Sequence, residues 1–410
     1  MAQRRSPTPA GMSTSAETQP MNTGAAAQPQ LPAPQPLAAL FTASCMGICF
    51  GFLFEKSHVY EPQAIRGQFN FERWIMMKMF MGAVTASCFS FVLLSVFAPQ
   101  RFETVRLNFH PIKRGLLSGG ALGGGLLGVG MAVAGACPGM VLPQVGTGLP
   151  NALLITLGGV IGALAFGLLE PVLRSSALDK GAQCSGTADD FVDIKLGKPF
   201  VALCLPLGVV CGAASILLEV LVPYESELGL PVGGAELGEI LYAKAWPPAL
   251  AGALLGSLQL PCAAIIQASL GSSSSYECVA SIPLALAGSA TKKRFSYLEG
   301  KRSGGVGSWW QVFYVSFAIL GAYVSAQLSG TFPTSASGVP APSALIGGFL
   351  MLFGSRLAGG CTSGHGISGM PLLHTLSLVA VCAMFGAGIV TGLVLDAMDL
   401  LEIPPLVGRL

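Results

Sequence analysis

The chain has 410 residues, of which 10% are charged and 52% are hydrophobic. A water-soluble domain carries about a quarter charged residues, so this chain cannot cover a water-facing surface and its solvent is mostly lipid. The net charge of +2, with no basic cluster interleaved with aromatics, gives no footing for a nucleic-acid partner.

Residues 1–36 are rich in Pro, Ala, Gln, Ser and Thr with no apolar period, and read as a disordered tail. Arg4 and Arg5 beside a single acid, Glu17, are compatible with an organellar transit peptide, but the tail lacks the apolar core of a signal peptide. From Leu37 onward, apolar runs recur at the length of about 20 residues that crosses the hydrocarbon. Nine spans are expected, over 37–54, 74–98, 115–134, 150–171, 200–222, 246–266, 308–329, 340–358 and 372–396. The segments 55–73, 135–149, 267–291 and 359–371 are too short or too broken to cross, and 279–291, which holds Pro283, is expected to re-enter rather than span. With nine spans, 16 of the 22 Lys and Arg residues fall on the side of the N-terminus, which is therefore expected to be cytoplasmic. The plasma membrane is the expected location, with an organellar membrane as the alternative.

Two stretches repeat. Counting back from Cys137 and from Cys361, both carry Gly at −14 (Gly123, Gly347) and −13 (Gly124, Gly348). Both also have Leu at −11 (Leu126, Leu350) and Gly at −7 (Gly130, Gly354), then run into Ala-Gly-x-Cys. The first span of each half carries small-xxx-small spacing, Gly47/Gly51 and Gly252/Gly256. Spans 1–4 thus match spans 6–9, with span 5 between them, and an odd number of intervening spans inverts the second copy. The expected organisation is a tail (1–36), a first membrane repeat (37–171), a linker with one span and an acidic loop (172–245), a second repeat (246–396) and a short tail (397–410).

After each repeated cysteine the sequence stops reading as helix: Cys137-Pro138-Gly139 in the first half, Cys361-Thr362-Ser363-Gly364-His365-Gly366 in the second. Non-helical backbone at membrane depth survives only where protein or a cavity surrounds it. Inverted halves bring one break in from each face, so the two are expected to meet and aim freed N–H groups and half-helix ends at an anion. A thiol is polarizable and suits a soft sulfur atom better than hard sulfate oxygens. Small helix-crossing residues explain these positions less well, because packing alone would accept Ala or Ser. Cys88, Cys204, Cys211 and Cys382 lie in apolar runs and read as packing residues. Arg356, inside an apolar run, is expected to draw an anion to the cytoplasmic mouth or to snorkel. His365 reads as a hydrogen-bond partner at the break or a proton-sensitive gate. Ser272 to Ser275 either supply hydroxyls to the re-entrant segment or form a plain polar turn.

The run Gly359-Gly360-Cys361-Thr362-Ser363-Gly364-His365-Gly366-Ile367-Ser368-Gly369 resembles the signature of the YeeE/YedE sulfur-transport family. Gly135-Ala136-Cys137-Pro138-Gly139 is similar to that family's companion motif, and Gly271 to Tyr276 to its Gly-x-Ser-x-Ser-Tyr stretch. The resemblance implies thiosulfate uptake through an hourglass-shaped helical protein whose cysteines pass the ion by S–H···S contacts. By motif, Cys137 and Cys361 would be those thiols. Where the family has a further cysteine after the first span, this chain has Tyr60, so either Tyr60 replaces it with a hydroxyl, or Cys278 or another thiol serves, or the substrate differs.

The sequence therefore predicts an all-α polytopic membrane protein of about nine transmembrane helices in two inverted repeats. It is expected to transport a small sulfur-containing anion, not to act as an enzyme, and to use no cofactor and no metal. The expected substrate-binding residues are Cys137, Cys361, Tyr60, Gly139, Gly364, His365, Arg356, Ser274 and Cys278. The expected partners are thiosulfate, the bilayer and a downstream sulfurtransferase. The competing reading is a membrane thiol oxidoreductase or sulfurtransferase using Cys137 and Cys361, although no Cys-x-x-Cys occurs.

Overall fold

The computed structural model describes residues 34–109, 115–175, 190–229 and 240–400. Nearly all of the expected disordered tail, parts of the 172–245 linker and its acidic loop, and most of the 397–410 tail lie outside them. Among the described residues there is no strand, and eight helices are long and apolar enough to cross a membrane. These are α1 (Pro36–Lys56), α3 (Ile75–Phe97), α6 (Ala152–Ser175), α7 (Phe200–Leu221), α8 (Pro248–Ser257, extended to Ile266), α10 (Val306–Ser329), α11 (Ala341–Ala358) and α12 (Thr375–Ala397). The ninth expected span is a π-helical turn, Leu116–Gly123, continued by α4 (Gly124–Ala134). In lipid a backbone must satisfy its own polar groups, which is why such Gly-rich runs wind into helices. Short helices fill the gaps: α2 (Pro62–Phe69), α5 (Val141–Gly146) and α9 (Ser274–Ser281). The 279–291 stretch ends α9 and then makes a 3₁₀ turn at Ile282–Leu286.

The packing has two-fold regularity, set by glycines. On α4, a Cβ added to Gly123 would lie 2.4 Å from Ala358 N, and one added to Gly347 on α11 would lie 2.5 Å from Ala134 N. Gly130 likewise faces Met351 N at 2.2 Å, while Gly354 faces Leu127 N at 2.4 Å. Each contact joins the same two register positions, read from one copy of the repeat and then from the other. The outer pairs follow the same rule. Gly47 and Gly51 of α1 press on Tyr314 O and Ala318 O of α10, as Gly252 and Gly256 of α8 press on Met79 O and Ala83 O of α3. With no hydrophobic drive between helices in lipid, such backbone approach supplies the dispersion that holds them together. The helix α7 stands outside this pattern and packs on α3.

Several of the buried charges are paired. Lys78 Nζ, fully buried, reaches Glu227 at 2.8 Å and Glu219 at 3.1 Å, tying α3 to the end of α7. Arg106 pairs with Asp193 at 2.7 Å beneath the faces of Phe102, Phe191 and Phe200. An unpaired charge in this setting would cost several kcal/mol.

Candidate functional site

Two helix ends build the centre. The helix α4 stops at Gly135 (φ 59°) and α11 stops at Gly359 (φ 82°), each two residues before its cysteine. The left-handed turn, which glycine adopts without a Cβ penalty, turns the chain off the helix axis. The next helical turn then starts on the cysteine itself: Cys137 O accepts from Met140 N at 3.0 Å, and Cys361 O accepts from His365 N at 2.8 Å. The first break behaves as its sequence reads, open through Met140 and then α5. The second is shorter than expected, because Ser363–Gly369 rewinds into a π-helical turn. Glycine's low helix propensity counts for less where no water competes for the backbone groups.

The two breaks meet through the segment before α9. Ser272 Oγ lies 3.7 Å from Cys361 Sγ and 3.3 Å from where a Cβ on Gly139 would sit. Tyr276 OH donates to Pro138 O at 3.1 Å. Cys361 Sγ also has Ser363 Oγ at 3.2 Å. Both thiols are buried.

Cavities open on either side of this junction. Cys137 and Gly139 line one of about 30 Å³, together with Phe50, Phe54, Met76, Met79, Phe80, Thr362 and Ser363. Cys361, Gly364, His365, Arg356 and Ser274 line another of about 140 Å³, whose walls are polar. A third, of about 200 Å³, holds His58, Tyr60, Glu61 and Thr334 beyond the ends of α1 and α10. The fold therefore brings Cys137, Cys361, Gly139, Gly364, His365, Arg356 and Ser274 to one region and leaves two expected residues out. Tyr60 OH bonds Thr334 Oγ1 at 2.9 Å in the third cavity, and it does not line the cavity of Cys137. Cys278 donates to Ser308 O at 3.2 Å and lines neither thiol cavity. The thioethers of Met76 and Met79 occupy the walls on Cys137's side instead.

Arg356 neither snorkels nor stands free. Its Nη1 reaches Glu277 at 2.8 Å and Ser274 at 3.4 Å; its Nη2 bonds Ser273 and reaches Ser355 at 3.2 Å. Glu277, fully buried on α9, also takes Lys301 at 3.0 Å and Tyr297 OH. Sequence reasoning missed Glu277, although it is the one charged residue in 267–291. An isolated acid in an apolar membrane segment is a functional signal that needs a partner. In the first half a guanidinium again clips the short helix to the broken one: Arg66 of α2 donates to Ala132 O at 3.1 Å and Val133 O at 2.7 Å. Ala132 and Arg356 hold the same position, five residues before their cysteines. His365 Nδ1 pairs with Ser377 Oγ at 2.9 Å. Among the described residues no cluster of His, Cys, Asp or Glu has the makings of a metal site.

A bundle of lipid-length apolar helices around two broken ones defines a multi-pass integral membrane protein. The chain belongs to the sulphur transport family, whose profile matches residues 56–391. Two proteins of Xylella fastidiosa, each described as a probable transporter, are similar to it. The protein of strain 9a5c is 32% identical over 78 residues, and that of strain Temecula1 is 31% identical over 78. The match takes in 19% of this chain and 58% of either relative, so the chain spans under two thirds of the curated relatives' length.

Proposed function

We propose that the protein carries a small sulfur-containing anion, thiosulfate first among them, across the membrane through the junction of Cys137 and Cys361. The observation that carries this reading is the meeting of two helix breaks with one buried thiol on each, in a chain of the sulphur transport family. The two-fold glycine packing supports taking 37–171 and 246–396 as inverted repeats. The excess of Lys and Arg supports a cytoplasmic N-terminus, so the cavity of Arg356 opens inward and that of Cys137 outward. Nine residues entered the expected site; those lining the two thiol cavities are its proposed core, and Tyr60 belongs to an outer vestibule. No relay through oxidised sulfur is required, because a thiol can pass an anion by hydrogen bonding alone.

The test is uptake of labelled thiosulfate by proteoliposomes holding wild type, Cys137→Ser or Cys361→Ser, with sulfate as competitor. Uptake that ignores excess sulfate and falls at least about tenfold in both variants is expected. Wild-type liposomes with folded protein and no thiosulfate flux would refute the substrate. Flux unchanged in both serine variants would refute the thiol path.

A further inference from the structure

We propose that the strap joining α9 to α10 is a docking site for an anionic phospholipid. Its apolar turn enters the acyl region, and Lys292, Lys293 and Arg294 take the headgroup phosphate. This goes beyond the transport reading and does not depend on it.

The strap consists of the 3₁₀ turn Ile282–Leu286 and two short helices, Ser289–Arg294 and Ser296–Ser303. Its second half is held by protein. Leu298 is fully buried, and a Cβ added to Gly167 of α6 would lie 2.5 Å from its Cδ2. Lys301 reaches Glu277 at 3.0 Å, Tyr297 OH donates to the same carboxylate, and Arg302 Nε donates to Glu299 at 2.9 Å.

The first half has no such cover. Leu286 is 95% exposed, Ile282 50%, and Val279, near the end of α9, 37%. Single exposed apolar residues are ordinary, but a cluster on one short segment marks a surface that meets lipid or a partner. Its depth follows from its neighbour. The helix α10 begins at Val306, and Trp309 near that start donates its Nε1 to Arg302 O at 3.0 Å. An indole at the end of a spanning helix sits at headgroup level, so the strap lies at the boundary and its turn has acyl chains to enter.

Charge selects the lipid. Residues 278–298 hold Lys292, Lys293 and Arg294 and no acid. The other two cations of the strap are paired, whereas these three make no ion pair among the described residues. Glu299, the next acid along the chain, is already held by Arg302. Lys292 Nζ donates back to Ala285 O at 3.2 Å, which sets the cationic end of its helix over the apolar turn. Unpaired cations beside an exposed apolar turn match a ligand with a phosphate at one end and hydrocarbon at the other. A soluble phosphate would leave the turn in water, and a zwitterionic lipid brings its own ammonium. On the proposed orientation the strap lies in the cytoplasmic leaflet, where anionic lipids concentrate.

The test is equilibrium binding of fluorescent phosphatidylglycerol and phosphatidylcholine to the full chain purified in detergent. Wild type is expected to prefer phosphatidylglycerol by at least about tenfold. Lys292→Gln/Lys293→Gln/Arg294→Gln should bring the two lipids within about twofold of each other, as should salt at about 0.5 M. Leu286→Ser should weaken both lipids alike and leave their ratio intact. Lys292→Arg/Lys293→Arg should keep the preference, which separates lost charge from lost fold. If the glutamine variant does not fold, the salt series on wild type makes the same test. Equal binding of the two lipids by wild type, or a preference that survives the glutamine changes or the salt, would overturn the proposal. Displacement of the lipid by glycerol phosphate at equal concentration would overturn it too, by marking a soluble-phosphate site. None of these readings uses thiosulfate, so the transport reading stands or falls separately.

Discussion

Gly354→Ala tests whether the α4–α11 contact sets the distance between the breaks. The added Cβ would sit 2.4 Å from Leu127 N and 2.8 Å from both Leu126 C and Leu126 Cβ, so backbone rather than a flexible side chain must yield. Ordinary contact begins near 3.4 Å, and α4 would have to withdraw by about 1 Å. Overpacking of this kind costs about 1–3 kcal/mol, partly offset by up to ~1 kcal/mol of helix propensity gained on replacing glycine. A net loss of about 1–2 kcal/mol is expected. Gly125→Ala on the facing helix α4 is the control: its Cβ would meet only Ala387 Cβ at 3.9 Å, so the propensity gain stands alone. Reversible unfolding in mixed micelles should therefore show Gly354→Ala below wild type and Gly125→Ala level with it or above. Gly130→Ala, which faces Met351 N at 2.2 Å, should match Gly354→Ala if the two-fold relation holds energetically. Equal stability of Gly354→Ala and Gly125→Ala would refute the close-contact argument. A large difference between Gly130→Ala and Gly354→Ala would refute the symmetry.

The left-handed glycines are next: Gly135→Ala combines a φ of 59° with a Cβ 2.7 Å from Pro62 Cβ, for an expected loss of about 2–4 kcal/mol in the same unfolding assay. A loss under ~1 kcal/mol would show that the turn relaxes without glycine. At the far end of α1, burial alone would lower the His58 pKa, but Glu61 Oε1 at 3.0 Å, with Glu55 and the Lys244 carbonyl, outweighs it and holds the pKa above the usual histidine value. A raised folded pKa gives stability that is complete below about pH 6.5 and is lost as pH rises through the folded value. The melting gap between wild type and His58→Gln should thus be widest in acid and close in alkali; a gap independent of pH would show that the imidazolium is not the stabilising form.

The spans were legible because lipid imposes one length and one composition on every crossing. The interruption at Cys137 was legible too, since Pro138 and Gly139 follow the cysteine, whereas the one at Cys361 proved shorter than its glycines suggest because Ser363–Gly369 rewinds. What stayed hidden was side-chain pairing across sequence. Nothing near Arg356 announces Glu277, and nothing near Glu277 announces Lys301 and Tyr297; only the oddity of one acid in an apolar segment was available. Tyr60 was expected to stand in for a thiol by its place after the first span. Three residues of register, Val59 lining the thiol cavity and His58 and Tyr60 lining another, decide which cavity a side chain enters, and no sequence pattern reports that. Cys278 has the right neighbours in sequence, yet its helix turns the thiol toward Ser308.

The frame is nearly symmetric, while the walls of its two thiol cavities are not. Gly123 and Gly347, Gly130 and Gly354, Gly135 and Gly359 occupy equivalent backbone roles, so the helices that lead into the two breaks pack and end alike. Five residues before each cysteine the symmetry ends: Ala132 lends only its carbonyl to Arg66, whereas Arg356 carries a charge into its cavity wall. One thiol consequently faces phenyl rings and thioethers, and the other faces hydroxyls and a guanidinium. In the proposed transport an anion would rest more favourably beside Cys361 than beside Cys137, because the walls there are the more polar and include a guanidinium. Such a difference fixes where the ion rests and cannot by itself drive net flux, since a site stabilises an ion equally from whichever side it arrived. Net movement in the proposed transport must come from a gradient or from a reaction that consumes the anion at the Arg356 face, the role proposed for a sulfurtransferase partner.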